Sequence, residues 1–426
     1  MDLFVQASRN VRGTIAVPPN KSHSFRALIM ACLADGTSRI VAPAVSADWL
    51  RGIEAMELFG AAIEPKGADA WEVSGTGGKL RTPDDVIHCG NSGIIFRFFT
   101  ALAACCEGYT VLTGDESVRH IRPCGTLLDA LNALGAWGVS TKGDGHAPVV
   151  VRGPLLGGSA TIDGADSQPV SALLMAGALA KGPVELTVHN PGEKPWVGVT
   201  LYWLGRCGVS VENDDFARYR VVPGGGWAGF DVTIPGDWSA AIYPIVAGLI
   251  CPDSEVKVTG VDPDDVQGDK KVLDVLKEMG ADIEVVEGGV VGRSSELQGR
   301  AIDCNDFIDQ FMLLAVVGAC AAGETVLYNA EICRHKECDR ITAMHDALKA
   351  MGADVEERPD GLVIRRSKLH GTRLDSREDH RIVMTLSLAG LVAGGQTIIT
   401  RIECIKKTFP HFVERMAAMA CDMQKS

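Results

Sequence analysis

Cations and carboxylates recur in this chain in a pattern suited to handling small anions. Lys21, Ser22 and Arg26 stand together in PPNKSHSFRAL. Asn91, Ser92 and Arg97 follow in GNSGIIFRF, then Arg119 and Arg122, then Ser167, Gln168 and Lys194. The second half offers Asp306 and Asp309, then Lys336, Glu337 and Arg340, then Asp379, His380 and Arg381, and last Lys406 and Lys407. Arginine forks match carboxylate and phosphate in two-point contact, and lysine supplies a compact charge or a proton. Taken singly, each cation is ordinarily a solvated surface residue, and Asp379 reads equally well as a helix cap. Recurrence tips the balance, because helix starts on their own favour Asp, Ser and Asn rather than cations. Other chemistries lack their signatures. Lys21-Ser22 has no preceding glycine run and is not a P-loop, the glycines at 224–226 are a turn, and neither HExxH nor GxSxG occurs. Cys333 and Cys338 are loosely metal-like in spacing but have no second pair, so a zinc site is not expected.

The elements that must position these residues repeat. Segments such as SHSFRALIMACLADGTSRI, DSQPVSALLMAGALAKGPVELTV and DHRIVMTLSLAGLVAGGQTII have a polar start, an apolar helix, a turn and a β-like run. Six copies recur at a spacing of roughly 70 residues. The first helix is apolar nearly all round, which calls for burial on every side. A second, amphipathic helix recurs with the same period, as in IEAMELFGAAIE and LDVLKEMGADIE. In five copies it ends at a glycine, Gly60, Gly135, Gly208, Gly280 and Gly352, and in the sixth at Ala420. The sixth copy lacks its final strands, and the strand-like N-terminal stretch 1–19 is expected to complete it. Two closed groups of three follow: 20–235 in one domain, 1–19 plus 236–426 in the other, with turn residues at both crossings as a hinge. If the buried helices of a domain run parallel, their positive N-termini converge on one face that binds anions. Two such faces would line an interdomain cleft.

Composition narrows the field. A chain of 426 residues exceeds one ordinary core. A formal net charge of −13 argues against nucleic acid as a partner, so any anionic ligand must be met by local cations. The start MDLFVQASRNVRG shows no signal-peptide pattern. Apolar runs such as IVMTLSLAGLVA fall short of the roughly 20 residues that span a bilayer. Thirteen cysteines scattered through apolar stretches are expected to be reduced core thiols of a cytoplasmic protein.

At these same residues the sequence resembles the family of 5-enolpyruvylshikimate-3-phosphate (EPSP) synthases. PPNKSHSFRAL, GNSGIIFR, DSQ, KECDR, EDHR and KKTFPHF look like that family's motifs, in order and along the whole length. The resemblance implies an α/β fold of two globular domains, each with three βαβαββ units around buried parallel helices. It implies a monomer that transfers the enolpyruvyl group of phosphoenolpyruvate to the 5-hydroxyl of shikimate 3-phosphate and releases phosphate. Lys21, Ser22 and Arg26 would hold shikimate 3-phosphate, Ser22 and Arg26 at its carboxylate. Asp166, Ser167 and Gln168 would lie near its phosphate and Trp196 would stack on its ring, with Asp309 and Lys336 completing that set. Lys21, Asn91, Gly93, Arg122, Gln168, Arg340, Arg381 and Lys407 would bind phosphoenolpyruvate. Asp309 would accept the hydroxyl proton and Glu337 would protonate the methylene carbon, with Lys21 and Lys336 assisting.

Three departures from the family pattern stand out. Asp166 and Glu193 replace serines that commonly contact the substrate phosphate, and Lys194 is one available partner for them. GDESVRHIRP is about one residue longer than usual before Arg122, so Arg119 and Arg122 compete for one role. Ile94 and Phe98 stand where the family often has threonine and proline, which implies weaker inhibition by glyphosate, a phosphoenolpyruvate competitor. One alternative is enolpyruvyl transfer to another phosphorylated acceptor such as a UDP-sugar; the relative with that activity usually carries a reactive cysteine in this region, where Cys124 follows the Arg-Pro pair and is expected to be structural. A catalytically silent anion-binding paralogue is the remaining alternative.

Overall fold

The computed structural model describes residues 1–426 and divides into two compact units, Pro19–Ile234 and Met1–Pro18 with Pro235–Ser426. Each has its own apolar core. The strands form six four-stranded sheets, three in each unit.

One repeat shows the logic of all six. Strand Ile87–His88 leads into helix Gly93–Ala103, which crosses over to strand Tyr109–Thr113, its parallel neighbour. Such a parallel pair needs a long crossover, and here the helix supplies it. Helix Gly125–Ala133 then leads to Trp137–Ser140 and Val149–Arg152, and the last strand inserts antiparallel between its two neighbours. Every residue of Gly93–Ala103 is buried, as its apolar circumference demands. The amphipathic helices end where expected: Gly60, Gly135, Gly208, Gly280 and Gly352 all have positive φ, and Ala420 adopts φ 65 at the sixth site.

The ends of the chain are shared more widely than the sequence suggests. Strand Asp2–Val5 does enter the sixth sheet, between Thr397–Thr400 and Met423–Lys425. The sixth repeat therefore keeps one late strand of its own, Met423–Lys425, contrary to the expectation that both were missing. Strand Arg12–Ala16 instead supplies the first strand of the fourth repeat, parallel to Glu255–Thr259. By the same device Asp231–Thr233, at the end of the third repeat, supplies the first strand of the first, parallel to Thr37–Val41. Each group of three is thus closed by strands borrowed across it. No helix is long and apolar enough to cross a membrane.

Candidate active site

In the unit Pro19–Ile234 the buried helices run parallel. Near the starts of Gly93–Ala103 and Ser167–Gly177, Arg97 Nη1 donates to Gln168 Oε1 at 3.1 Å; near their ends, Cys105 Sγ donates to Ala176 O at 3.7 Å. Their N-termini therefore share a face. Ser92 precedes Gly93–Ala103 without a side-chain cap, which leaves the leading N–H groups of that helix to solvent or ligand. A Cβ at Gly93 would lie 2.5 Å from Arg122 Nη1 and 2.7 Å from Arg97 Nη1, so two guanidinium groups close over this glycine. Arg122 is buried, with Nε donating to Ser117 Oγ at 3.0 Å. Arg119 is exposed and turns back to Gly114 O at 3.1 Å, so the geometry favours Arg122 over Arg119. Asn91 is exposed just before this helix.

Arg26 is 2 % exposed, and its partners are uncharged. Nε donates to Thr200 Oγ1 at 2.7 Å, Nη2 to Trp196 O at 3.0 Å and Nη1 to Ser22 O at 3.2 Å, and the guanidinium sits over the Phe98 ring at 5.2 Å. Burial pulls its pKa down to about 9. A buried cation without a carboxylate is stabilised by an incoming anion. Trp196 is itself 8 % exposed and packed in the core, which leaves little ring face for the stacking role expected of it. Its carbonyl instead holds Arg26. Lys21 Nζ lies 3.9 Å from Asp48 Oδ2. Asp166 meets Arg97 at 3.0 Å, whereas Lys194 reaches Asp215 at 3.6 Å; Arg97 takes the pairing role that Lys194 was available for.

The second unit gathers opposite charges at the heads of its three buried helices, Trp238–Ile250, Phe311–Cys320 and His380–Val392. Gln310 Nε2 donates to Ser239 O at 3.1 Å and Arg381 Nη2 to Asp309 Oδ2 at 2.8 Å, which ties the three starts together. Arg340, 1 % exposed, is the hub. Its Nε donates to Asp379 Oδ2 at 2.8 Å, Nη1 to Asp309 Oδ1 at 2.8 Å and Nη2 to Glu337 Oε2 at 2.9 Å. Glu337 Oε1 also accepts from Lys407 at 3.4 Å. A chain of alternating charge results: Lys407, Glu337, Arg340, Asp309, Arg381. Burial alone would raise the pKa of Asp309, but Arg381, Arg340 and Lys336 together hold it at about 2. Asp379 both caps the His380–Val392 helix, accepting from Arg381 N at 2.8 Å, and anchors Arg340. Asp306 pairs with Lys271 at 2.6 Å at an exposed site, and Lys406 is exposed, so neither joins the cluster.

A carboxylate that the sequence reading passed over lies behind this cluster. Asp269 sits in the short turn Gly268–Lys271 with no exposure. Its Oδ2 accepts from Ser239 Oγ, and from Gln310 Nε2 at 3.2 Å. Its Oδ1 and Gln310 Oε1 are buried acceptors without a hydrogen-bond partner. Burial, reinforced by the charge of Asp309, raises its pKa to about 7. A proton on Oδ1 would turn one of the two stranded acceptors into a donor. Asp48, beside Lys21, was likewise unmarked, and the place of Phe98 under Arg26 comes only from contacts across the fold. Cys124 is 1 % exposed, and burial pushes its thiol up to about 12, which makes it a core thiol rather than a reactive one.

Fold and site together define a class: an α/β protein of six repeats that presents cations and carboxylates at buried helix heads to work on small anions. A family model described as EPSP synthase (3-phosphoshikimate 1-carboxyvinyltransferase) matches residues 5–416, and the chain belongs to that family. It is 44% identical over 432 residues to the 3-phosphoshikimate 1-carboxyvinyltransferase of Halobacterium salinarum, covering 99% of each chain. It is 43% identical over 411 residues to the enzyme of the same name from Acetivibrio thermocellus, covering 96% of each. Among solved structures it is similar to EPSP synthase from Acinetobacter baumannii, with a TM-score of 0.83, 28% identity, and coverage of 100% of this chain and 99% of that one.

Proposed function

We infer that this chain performs its family's reaction: the enolpyruvyl group of phosphoenolpyruvate passes to the 5-hydroxyl of shikimate 3-phosphate, and phosphate leaves. The observation that carries the reading is the Lys407–Glu337–Arg340–Asp309–Arg381 chain, in which two carboxylates occupy the arginines that a dianionic substrate would need.

That arrangement suggests how substrate binding prepares the chemistry. With its carboxylate clamped by Arg340 and Arg381, Asp309 is too weak a base to take a hydroxyl proton at neutral pH. The carboxylate and phosphate of phosphoenolpyruvate compete for the same forks. As they take them, Asp309 loses compensating charge and its proton affinity rises. Asp309 then accepts the acceptor's proton as the oxygen adds to the enol carbon. Glu337, likewise loosened from Arg340 and Lys407, carries the proton that reaches the methylene carbon. The tetrahedral adduct then returns a methyl proton to Glu337 as it expels phosphate, which re-forms the enol double bond, with the departing charge met by Arg122, Arg340, Arg381 and Lys407. Lys21, Ser22 and Arg26 hold the acceptor, with Arg26 regaining an anionic partner in its carboxylate. Ser167 and Gln168 lie near the phosphate, and Lys21 and Lys336 assist the proton transfers. The substrates are two small anions; the enzyme acts as a cytoplasmic monomer, without nucleic acid, membrane or cofactor.

Asp309→Ala and Glu337→Ala test the reading. Turnover should fall by orders of magnitude in each while phosphoenolpyruvate still binds, because both acids compete with that substrate rather than hold it. Retained turnover in both variants would contradict these roles.

A further inference from the structure

The heads of two neighbouring buried helices in Pro19–Ile234 are furnished in opposite ways. Gly93–Ala103 starts without a side-chain cap. At Ser167–Gly177 the corresponding place is filled by the chain itself. Glu193 Oε2 accepts from Ser167 N at 3.0 Å and from Ser167 Oγ at 2.9 Å, and Asp166 Oδ1 accepts from Gln168 N at 2.9 Å. Backbone N–H and hydroxyl converging at a helix start are the donors a phosphate uses. Glu193 is 2 % exposed and its backbone is left-handed, at φ 46, ψ 37, so this carboxylate is delivered to the seat by a strained turn rather than by a loose surface side chain. Asp166, the second acid here, already engages Arg97.

We propose that Glu193 is a specificity-determining residue: a built-in competitor for the phosphate of the acceptor, which must be displaced from Ser167 before a phosphorylated acceptor can seat. The proposal rests on the reading of Ser167 and Gln168 as the acceptor's phosphate contacts. Two consequences follow from charge and geometry. The chain discriminates poorly between phosphorylated and unphosphorylated forms of its acceptor, because the phosphate gains only what the departing carboxylate gives up. Removing the carboxylate restores the discrimination.

Calorimetric titration of wild type, Glu193→Gln and Glu193→Ser with shikimate 3-phosphate and, separately, with shikimate reads this directly. A hydrogen-bonded carboxylate in competition is worth at least about a factor of ten in affinity. Glu193→Gln, which keeps the size of the side chain, should bind shikimate 3-phosphate at least about tenfold more tightly while shikimate changes by no more than about twofold. Glu193→Ser should move the same way. Equal tightening for both ligands, no tightening, or weaker binding of the phosphorylated one would overturn the proposal and make Glu193 a structural anchor of Ser167. Turnover on the same samples separates the two claims. Absent turnover with the affinity split intact contradicts the proposed reaction and leaves the role of Glu193 standing; turnover without the split does the reverse.

Discussion

At the scale of single residues, Gly93 marks the tightest constraint in the first unit. A methyl group there would touch two guanidinium groups, both the ends of flexible side chains. Gly93→Ala should therefore fold with little loss of thermal stability yet displace Arg122 and Arg97, raising KM for phosphoenolpyruvate at least about tenfold; steady-state kinetics beside a melting curve separates the two effects. Ile94 and Phe98 are buried on the same helix, and Phe98 is the floor under Arg26, so this helix start is held by bulk that a smaller pair would not provide. Glyphosate, which competes with phosphoenolpyruvate in this family, is expected to inhibit this chain weakly; an inhibition constant as tight as that of sensitive relatives would contradict this. Most of the cluster could be read from the sequence because its members are charged residues recurring at helix starts, where chance would put caps. Asp269, Asp48 and the contact of Phe98 with Arg26 could not. A carboxylate in QGDKK or an aromatic in IIFRFF looks ordinary until the fold brings Ser239, Gln310 or Arg26 against it.

The element scale explains why the charges stay where they are. Each buried helix is held on all sides, so its start is a fixed platform, and Asp379 shows how one residue ties platform to chemistry. It caps His380–Val392 and neutralises the innermost edge of Arg340. Asp379→Ala should lose the cap and leave the buried Nε of Arg340 without its acceptor, although Asp309 and Glu337 still neutralise the guanidinium, a combined cost of about 2–4 kcal/mol, seen as a marked fall in the urea midpoint. Asp379→Asn, which keeps the cap, should cost less. The period of the repeats was visible because two helices and a turn recur in register, and even the sixth cap behaves as its glycine counterparts do. Ala420 bears the penalty of φ 65, so Ala420→Gly should stabilise the protein by roughly 1 kcal/mol. The exchange of strands was not visible. Arg12–Ala16 and Asp231–Thr233 are short, generic β segments, and only hydrogen-bond pairing reveals which sheet each completes.

For the molecule as a whole, the two acidic groups at the core of the second unit make opposite demands on pH. Asp269 has a folded pKa of about 7 against an ordinary 3.8, so its contribution is full below about pH 4 and is lost as the pH rises to 7. Asp309, held at about 2, contributes above about pH 4 and loses that contribution as the pH falls. Wild type should therefore lose stability between about pH 4 and 7 through Asp269. Asp269→Asn should flatten that slope and melt higher than wild type at pH 8, because the amide puts a neutral donor in place of a buried charged acceptor. Melting curves from pH 4 to 9 for both proteins would show it; parallel curves would mean that Asp269 is ionised throughout. Whether this arrangement of charge performs enolpyruvyl transfer is read from the release of inorganic phosphate by purified protein given phosphoenolpyruvate. Phosphate should be released only when shikimate 3-phosphate is also present, and not by Asp309→Ala. Release that ignores the acceptor, or none from a folded sample with both substrates, would contradict that activity.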